Sequence, residues 1–251
     1  KNQYFMGMCI MGSHYQHEKE YLPLSHFGRI KNENDPDESI DTPIANGDVN
    51  IYNNLFDIKR EEYGTTIVIP FLKEEITKQY LITQSINRYR YAINNNKIEL
   101  EICGEKINSN NIKDVIKEYD SEKSENLNKY LDFLNDVKAK NFSTYKANTT
   151  PNSQSLNIDN FNKDDISRIK SDYENSKIIN IEVPVVIQKK NEESVPSSFD
   201  IFIQKSDSFE GNDDLVRGSL PIYEQSVFKG KNSYGLCLIS KNNLAALVRD
   251  A

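Results

Sequence analysis

Three groups of residues in this sequence have types and spacings that could do chemistry. The first is Gly64-Thr65, which opens a β-branched run that continues to Ile69 and is followed by Pro70. Gly64 leaves room for a ligand against the main chain, and the Thr65 hydroxyl can hydrogen-bond a ligand or a water. The run predicts a short, fully buried strand that stops at Pro70, because β-branched residues suit a packed sheet and proline cannot donate to a ladder.

The second group consists of His14, His17 and His26, with Glu18 and Glu20 beside them. Imidazoles and carboxylates are ligands of zinc, so one hypothesis is a metal-dependent hydrolase. The alternative is a set of exposed loop histidines, and the polar sequence around them favours it. We therefore predict no metal site.

The third group is the pair Lys189-Lys190, which directly follows the most apolar strand pattern of the chain, residues 178–188. A compact ammonium group at the end of a buried strand suits a phosphate partner. The alternative is a solvated lysine pair at a strand end.

Composition limits the class of protein. The chain has 251 residues, with 38 acidic and 31 basic side chains and a net charge of −7, which argues against a nucleic-acid binder driven by overall charge. No run of about 18 apolar residues exists, so we predict no membrane span. Cys9, Cys103 and Cys237 each lie in a hydrophobic run, which predicts buried thiols in a reducing cytoplasm rather than disulfides or a zinc site.

Hydrophobic periodicity predicts a chain of mixed helices and strands. The apolar run at residues 4–12 fits either a strand or a helix. Helices are predicted at residues 72–87, 110–119, 125–138, 164–173 and 242–250, and strands at 97–102, 178–188, 198–205, 218–225 and 233–240. The first helix is expected to bury Ile76, Tyr80 and Leu81, the third to bury Leu127, Tyr130, Leu131, Leu134 and Val137, and the fourth to be capped by Asn162 or Asp164. Pro184 predicts an edge position or a bulge in the strand at 178–188, which is expected to pair with the strand at 198–205. Residues 30–50 and 141–157 are predicted to be loops.

Six stretches taken together resemble a known superfamily. In chain order they are YFMGMCIMGSHYQHEKEYLPLSHFG, TPI, LFDIKREEYGTTIVIPF, YRYAINNNKIELEI, LVRGSLPIYEQ and YGLCLISKNNLAALVRDA. They resemble uncharacterised prokaryotic ATP-binding proteins of the GHKL class, which contains gyrase, the heat-shock chaperone, histidine kinases and MutL. The core motif is short, and the order of the patches carries the resemblance.

The resemblance implies a fold and a cofactor. The fold class would be α+β: the distal part of a GHKL α/β sandwich at residues 1–72, followed by a transducer-like (ribosomal S5 domain 2-like) α/β domain at residues 73–251. The complete protein would bind ATP with Mg²⁺.

The resemblance also implies roles for particular residues. Gly64 and Thr65 match the final nucleotide-site motif, and Lys189 or Lys190, of which we take Lys190, would be the transducer lysine that reaches the γ-phosphate. The superfamily's catalytic Glu, magnesium-binding Asn and Asp-x-Gly-x-Gly segment have no counterpart in this chain. The resemblance implies that they precede Lys1, and hydrolysis by this chain alone is then not expected.

The predicted function is a nucleotide-gated conformational switch, in DNA-related or phage-defence processes. The implied partners are a second copy of the protein and a DNA-acting protein. The alternative is a non-catalytic binding or scaffold module, which is motivated by the lack of a complete catalytic motif in the sequence: it has no P-loop and no Gly-x-Gly-x-x-Gly.

Overall fold

The computed structural model describes most of the chain. The described residues are 4–10, 14–16, 19–21, 24–27, 29–30, 41–42, 44–45, 49–58, 67, 73–149, 155–188, 193–207, 210–222, 228, 230–241 and 244–246. The chain divides into two compact units, Lys1–Leu72 and Lys73–Ala251. The ATP-binding and transducer-like assignments of these two ranges stay predictions.

Unit 1 contains short antiparallel strand pairs and one described helix, α1 (Val49–Leu55). Strand β1 pairs with β8, β2 with β5, β3 with β4 and β6 with β7. The ring of Phe5 stacks on Tyr52 of α1 with centroids 4.1 Å apart, so the helix packs on the first strand. The strands are β1 (Tyr4–Phe5), β2 (Gly7–Ile10), β3 (His14–Gln16), β4 (Lys19–Tyr21), β5 (Leu24–Phe27), β6 (Arg29–Ile30), β7 (Asp41–Thr42) and β8 (Ile44–Ala45).

Unit 2 is an α/β structure with four described helices of eight or more residues. The helices are α2 (Lys78–Asn94), α3 (Ile112–Tyr119), α4 (Ser124–Lys138) and α5 (Lys163–Glu174), and a short 3-10 helix covers Ile158–Asn160. A hairpin of β9 (Leu100–Ile102) and β10 (Glu105–Ile107) lies between α2 and α3. The remaining strands are β11 (Ser143–Lys146), β12 (Ile179–Ile187), β13 (Val195–Lys205), β14 (Asn212–Arg217), β15 (Leu220–Pro221) and β16 (Ser233–Ile239).

These six strands form one mixed sheet in the order β11-β12-β13-β16-β14-β15. Strands β11, β12, β16 and β14 run in one direction, and β13 and β15 run in the other. Strands β11 and β12 are joined through α5 as a parallel βαβ unit. The carboxyl ends of four strands therefore lie at one edge of the sheet.

Helices cover both faces of the sheet. On the first face, α2, α3 and α4 pack through their apolar sides onto Phe202, Val216, Tyr234 and Leu236, which form the largest core. On the second face, Ile169 and Tyr173 of α5 pack against alternate residues of β11, β12 and β13. Tyr145 of β11 also donates a hydrogen bond of 2.7 Å to Asp172 of α5.

The amphipathic stripes predicted the bounds of three helices well. The stripe on α4 is buried as predicted, at Leu127, Tyr130, Leu131, Leu134 and Val137. Asn162, one of the two residues predicted as the cap, caps α5 through its side chain, which accepts from the Asp165 amide.

The prediction for α2 was wrong in its start and its face. The helix starts after the Thr77 cap, whose hydroxyl accepts from the Tyr80 amide, and not at Leu72. Its buried apolar face is Ile82, Ile86 and Ile93, whereas the predicted face residue Tyr80 is 49% exposed. Residues 80 and 82 are about 200° apart around a helix, so Tyr80 cannot share the face of Ile82. The helix also continues to Asn94, past the predicted end at residue 87.

The predicted loop at 30–50 contains β7, β8 and the start of α1, so it is wrong there. Two strand predictions also need correction. Strand β11 lies inside the predicted loop 141–157, and it forms because it pairs with β12 rather than because of its own composition. The strand predicted at 218–225 is displaced: β14 ends at Arg217, residues 218–219 are a turn, and β15 is only Leu220–Pro221.

Cys103 is not a buried thiol. It is exposed and lies in the β9–β10 turn with a φ of 50°, followed by Gly104 with a φ of 78°. Two successive residues with positive φ are typical of a tight hairpin turn, and a turn residue points to solvent. Cys237 is partly buried in β16.

A buried ion pair joins the helical layer to the sheet. Arg90 of α2 donates to both carboxylate oxygens of Asp214 on β14 at 2.9 Å, and to the Asp213 carbonyl at 2.9 Å. Both side chains are about 90% buried. The Tyr130 ring lies 4.6 Å from the guanidinium, and its hydroxyl lies 3.0 Å from Asp214.

The surroundings of Arg90 keep its guanidinium charged. Burial is the largest single effect and lowers the pKa of Arg90, but Asp214, Tyr130 and Asp213 together outweigh it and the pKa is raised. Burial, followed by the nearby Asp214, raises the pKa of Tyr130 well above its usual value. Arg90 therefore stays charged and Tyr130 stays neutral at all ordinary pH values.

None of the described helices is long and apolar enough to cross a membrane.

Replacing Arg90 by methionine should lower the free energy of unfolding by about 3–5 kcal/mol, because Asp214 would remain buried without its partner. Urea denaturation followed by circular dichroism measures the change. The control is Lys113→Met, which breaks the exposed pair Lys113–Asp132 and should cost less than about 1 kcal/mol. Equal losses in the two variants would contradict the assigned role of the buried pair.

Asp172 should make stability depend on pH in acid. Hydrogen bonds from Tyr145, Lys177 and Ser143 lower its pKa from 3.8 to about 2 in the folded protein. The carboxylate therefore stabilises the fold above pH about 4, and this contribution is lost as the pH falls towards 2. Asp172→Asn should lose less stability between pH 6 and pH 3 than the wild type does, as measured by urea denaturation.

The exposed variant Asp136→Asn is the matched control for this measurement, and it should keep the wild-type difference. A wild-type pH dependence in Asp172→Asn would show that Asp172 is not the group responsible.

Candidate functional site

The three predicted nucleotide-binding residues, Gly64, Thr65 and Lys190, lie outside the described residues, as does Lys189. Their roles stay predictions. Ile67 is the one described residue between Asp57–Ile58 and Lys73, and it is 80% exposed and not in a strand. The prediction of a fully buried strand is therefore wrong at Ile67, because nothing among the described residues covers that side chain.

Two of the three histidines, which were predicted to lie in an exposed loop, lie in strands of unit 1. His14 is in β3 and His26 is in β5, which belong to different strand pairs, and His17 lies outside the described residues. Within the described part of the chain, no group of three or more His, Cys, Asp or Glu side chains is placed to hold a metal ion.

The feature of unit 2 with the most distinctive geometry is a two-stranded extension of the sheet. Strand β11 pairs with β12 only as far as Glu182, and β16 pairs with β13 only as far as Asp200. Beyond these points, residues 183–187 pair only with residues 195–199 among the described strands. We call these two segments the β-arm, and five residues of strand give it a length of about 16 Å.

The β-arm explains why a proline is tolerated inside strand β12. Pro184 lies inside β12 and pairs with Ser198, although proline cannot donate to a ladder. It is tolerated because β11 has already ended at this level. The free Pro184 carbonyl accepts a hydrogen bond of 2.6 Å from Thr149 instead. The sequence predicted an edge position or a bulge at Pro184. The structure shows an edge position, because β11 pairs with β12 only as far as Glu182.

Apolar packing supports one side of the β-arm. Ile187, near its end, is 4% exposed and packs with Ile239 of β16 and with Leu244, which lies in a helical segment at residues 244–246. Val185 and Val195 join the same cluster. The opposite side is more open, and Val186 there is 41% exposed.

A chain of polar side chains marks the base of the β-arm. The Lys241 ammonium, just after β16, donates to the Ser198 hydroxyl and lies 3.5 Å from Glu182. The Ser198 hydroxyl donates to Glu182 at 2.9 Å. Ser198 is 3% exposed, whereas the Lys241 side chain is 51% exposed. Lys241 therefore contacts both strands at the point where the arm leaves the sheet.

Glu182, at the base of the β-arm, carries a negative charge at neutral pH. The hydrogen bond from Ser198 and the positive charges of Lys241 and Lys146 lower the pKa of Glu182, against the opposing effect of burial. Glu182 is therefore ionised at neutral pH. Ser198 is too deeply buried for a substrate to reach, so the Lys-Ser-Glu chain positions the arm rather than supplying a nucleophile.

Basic residues recur at this edge of the sheet. The parallel strands β11 and β14 end at Lys146 and Arg217, β16 is followed by Lys241, and β12 is followed in the sequence by Lys189-Lys190. Ligands of α/β sheets bind outside the carboxyl ends of parallel strands. Lys146, Arg217 and Lys241 therefore lie at the edge where a ligand of an α/β sheet is expected, and Lys189-Lys190 follow this edge in the sequence only.

The described pocket in unit 2 is too small for a nucleotide. It has essentially no room even for a water molecule, and it is lined by residues of α2, α3 and α4 and of the α3–α4 connection, including Ile86, Ile116 and Tyr119. Small-molecule sites usually occupy about 300–1,000 Å³. This pocket is a gap between packed helices rather than a candidate site.

Sequence reasoning missed Glu182, Ser198 and Lys241. Their types were visible, but they are separated by 16 and 43 residues along the chain. The apolar and alternating patterns of β12 and β13 predicted two paired strands. In that pair Glu182 and Ser198 lie on the same face. Nothing in the sequence indicated that Lys241 would reach them.

No family model, no curated protein and no solved structure matches this chain. The class of protein that the structure itself defines is a mixed α/β protein with a six-stranded mixed sheet. The superfamily resemblance rests on the sequence patches alone.

Replacing Ser198 by alanine should raise the pKa of Glu182 towards its ordinary value, because the hydroxyl is the largest of the groups that lower it. The carboxyl chemical shift of Glu182, followed by NMR as the pH is changed, measures the effect. Ser197→Ala is the matched control, since Ser197 is the neighbouring residue and its side chain points to the other side of β13. A pKa that is the same in both variants would contradict the hydrogen-bond assignment.

Proposed function

We propose that this chain is part of an ATP-binding protein of the GHKL type that acts as a nucleotide-gated conformational switch. In this proposal Gly64 and Thr65 line the adenine-nucleotide cleft, Lys190 contacts the γ-phosphate, and Mg²⁺ accompanies ATP in the complete protein. The catalytic Glu and the magnesium-binding Asn are not assigned to residues of this chain.

The observation that carries the proposal is the β-arm. Strand β12 continues about 16 Å past the end of β11, and Lys189-Lys190 follow it in the sequence. The apolar contacts of Ile187 with Ile239 and Leu244 support this extension. A supported arm costs less entropy to position than a free loop does.

The sequence patches support the nucleotide class. They occur in the order of the superfamily, from the Gly64-Thr65 motif to LVRGSLPIYEQ and YGLCLISKNNLAALVRDA. A phosphate that binds the arm in one position better than in another would shift the population of the two positions. The proposed setting is a cytoplasmic homodimer that works with a DNA-acting partner or in phage defence.

A second candidate function is a non-catalytic binding or scaffold module. Exposed apolar side chains in unit 1 favour it: Ile51 and Leu55, one turn apart on α1, are 67% and 70% exposed, and Ile67 is 80% exposed. Exposed apolar groups close together are typical of a protein-binding surface. A stable partner recovered in pull-down experiments, with no effect of nucleotide on its binding, would favour this candidate.

Calorimetry with the full-length protein tests the nucleotide proposal. MgADP and the magnesium complex of the β,γ-imido analogue of ATP should both bind, and Gly64→Trp should abolish both, because the indole would fill the cleft. Lys190→Ala should weaken the ATP analogue by about 10- to 100-fold, the worth of one charged hydrogen bond, and leave ADP unchanged.

Lys189→Ala is the matched control for Lys190→Ala and should change neither affinity. Nucleotide binding that survives Gly64→Trp would overturn the proposed cleft. If Lys189→Ala rather than Lys190→Ala discriminated between the two nucleotides, the assignment of the phosphate-binding lysine would be wrong.

A further inference from the structure

Three oxygen-bearing side chains lie together on the first face of the sheet, next to the core that the helices cover. Glu182 of β12 lies directly opposite Asp200 of β13, and Asn180 is two residues before Glu182 and therefore on the same face. We call Asn180, Glu182 and Asp200 the acceptor cluster. Glu182 also pairs with Lys146, the last residue of β11, so the cluster is near the edge of the sheet where ligands of α/β proteins bind.

The two carboxylates of the acceptor cluster are unequally paired. Like charges directly opposite each other on paired strands are destabilising unless they are compensated. Ser198 and Lys241 donate to the same oxygen of Glu182, Oε1. Within the described part of the chain, Asp200 accepts only from the Asn180 amide nitrogen, at 3.3 Å, which is long for an N–H···O hydrogen bond. The cluster therefore has more acceptor oxygens than donors.

Asn180 shows most clearly that a partner is missing. It is 6% exposed, and its side-chain oxygen, Oδ1, is buried with no hydrogen-bond partner among the described residues. Native proteins satisfy nearly all buried acceptors with a protein group, a water or an ion, because an unpaired one is costly. The amide group is aimed into the cluster, since its nitrogen donates to Asp200. The unpaired oxygen and the surplus carboxylate oxygens together indicate a positively charged ligand.

The chemistry of the acceptor cluster fits a hydrated divalent cation. Magnesium takes oxygen ligands, and it typically binds through one or two carboxylates while it keeps several of its waters. Such an ion needs a partly open site rather than a deep cavity. The Glu182 side chain is 32% exposed, and Asp200 is partly exposed as well. A hydrated ion can therefore reach both carboxylates.

A half-turn of the Asn180 amide supplies the third ligand. The turn exchanges Oδ1 with the amide nitrogen, and the only described hydrogen bond of the amide that it breaks is the long one to Asp200. The oxygen would then replace an atom that is 3.3 Å from Asp200 Oδ1. Two ligands of one Mg²⁺ ion, each about 2.1 Å from it and at a right angle, are about 3 Å apart. The two oxygens therefore have nearly the spacing of neighbouring magnesium ligands.

We propose that Asp200, Glu182 and the Asn180 amide oxygen bind a Mg²⁺ ion, with waters completing its coordination. The site goes beyond the proposed nucleotide function, because it includes none of the residues assigned to the nucleotide and its binding needs no nucleotide. Lys241 opposes the ion, since its ammonium group lies 3.5 Å from Glu182.

Calorimetry with MgCl₂ and the full-length protein, in the absence of nucleotide, tests the site. The wild type should bind the ion saturably. Asp200→Asn should weaken binding by about 10- to 100-fold, because it removes the charge of one of two carboxylate ligands while keeping the size of the side chain. Asp207→Asn is the matched control and should keep the wild-type affinity, since Asp207 is exposed and follows the opposite end of β13.

Two results of this titration would overturn the proposal. One is a wild type that shows no saturable binding of Mg²⁺. The other is an equal affinity in Asp200→Asn and Asp207→Asn, which would place the ion elsewhere. Both are independent of the nucleotide function, because no nucleotide is present.

The charge of Lys241 gives a test that a merely structural polar cluster would not pass. Lys241→Met should tighten Mg²⁺ binding by about three- to tenfold, because it removes a positive charge beside Glu182. Lys241→Arg keeps the charge and should keep the wild-type affinity. Weaker binding in Lys241→Met would overturn the assignment of Glu182 as a ligand.

Manganese locates the ion directly. Mn²⁺ suits the same carboxylate, carbonyl and water ligands, and its unpaired electrons broaden the NMR signals of nearby amides. The amides of residues 180–182 and 198–200 should broaden at the lowest Mn²⁺ concentrations. Broadening that begins instead at the acidic β9–β10 hairpin would overturn the proposed site.

Discussion

The structure of unit 2 depends on the buried pair between Arg90 and Asp214. Removing two charges from water is costly, and it is tolerated only when every donor and acceptor finds a partner. Here the guanidinium is satisfied by both Asp214 oxygens, by the Asp213 carbonyl and by Asn212. The pair fixes where α2 crosses β14, because an apolar contact would allow sliding and a forked ion pair does not. Tyr130 brings α4 into the same arrangement.

The residues that the helical layer covers do not include those of the β-arm. The helices of the first face cover Phe202, Val216 and Leu236, whereas the first-face residues of β12 near the arm are polar. Four parallel strands end at this side, and the β-arm extends from it. Ile187, near the end of the arm, packs with Ile239 and Leu244, so the arm lies on unit 2 rather than standing free of it.

Some features of unit 2 follow from a local sequence pattern, and others depend on residues far away in the chain. The stripe of α4 predicted its buried face because five apolar residues at helical spacing have one consistent solution. Arg90 could not be predicted to be buried, since its partner Asp214 is 124 residues away. Strand β11 was missed because its sequence is polar and short, and its pairing with β12 supplies what its composition lacks. For the candidate site, the sequence pointed to the lysines that follow β12 but not to the β-arm that precedes them in the chain.

The sequence by itself determined the local features of this protein: the amphipathic helices, the Asn162 cap, the β12–β13 pairing and the type of chemistry available to Gly64, Thr65 and Lys190. These follow from spacing and side-chain type over a few residues. Only the tertiary structure decided the strand order, the length of the β-arm and the meeting of Lys241 with Ser198 and Glu182. Each of these depends on contacts between residues far apart in the chain, and such contacts leave no local pattern from which they could be inferred.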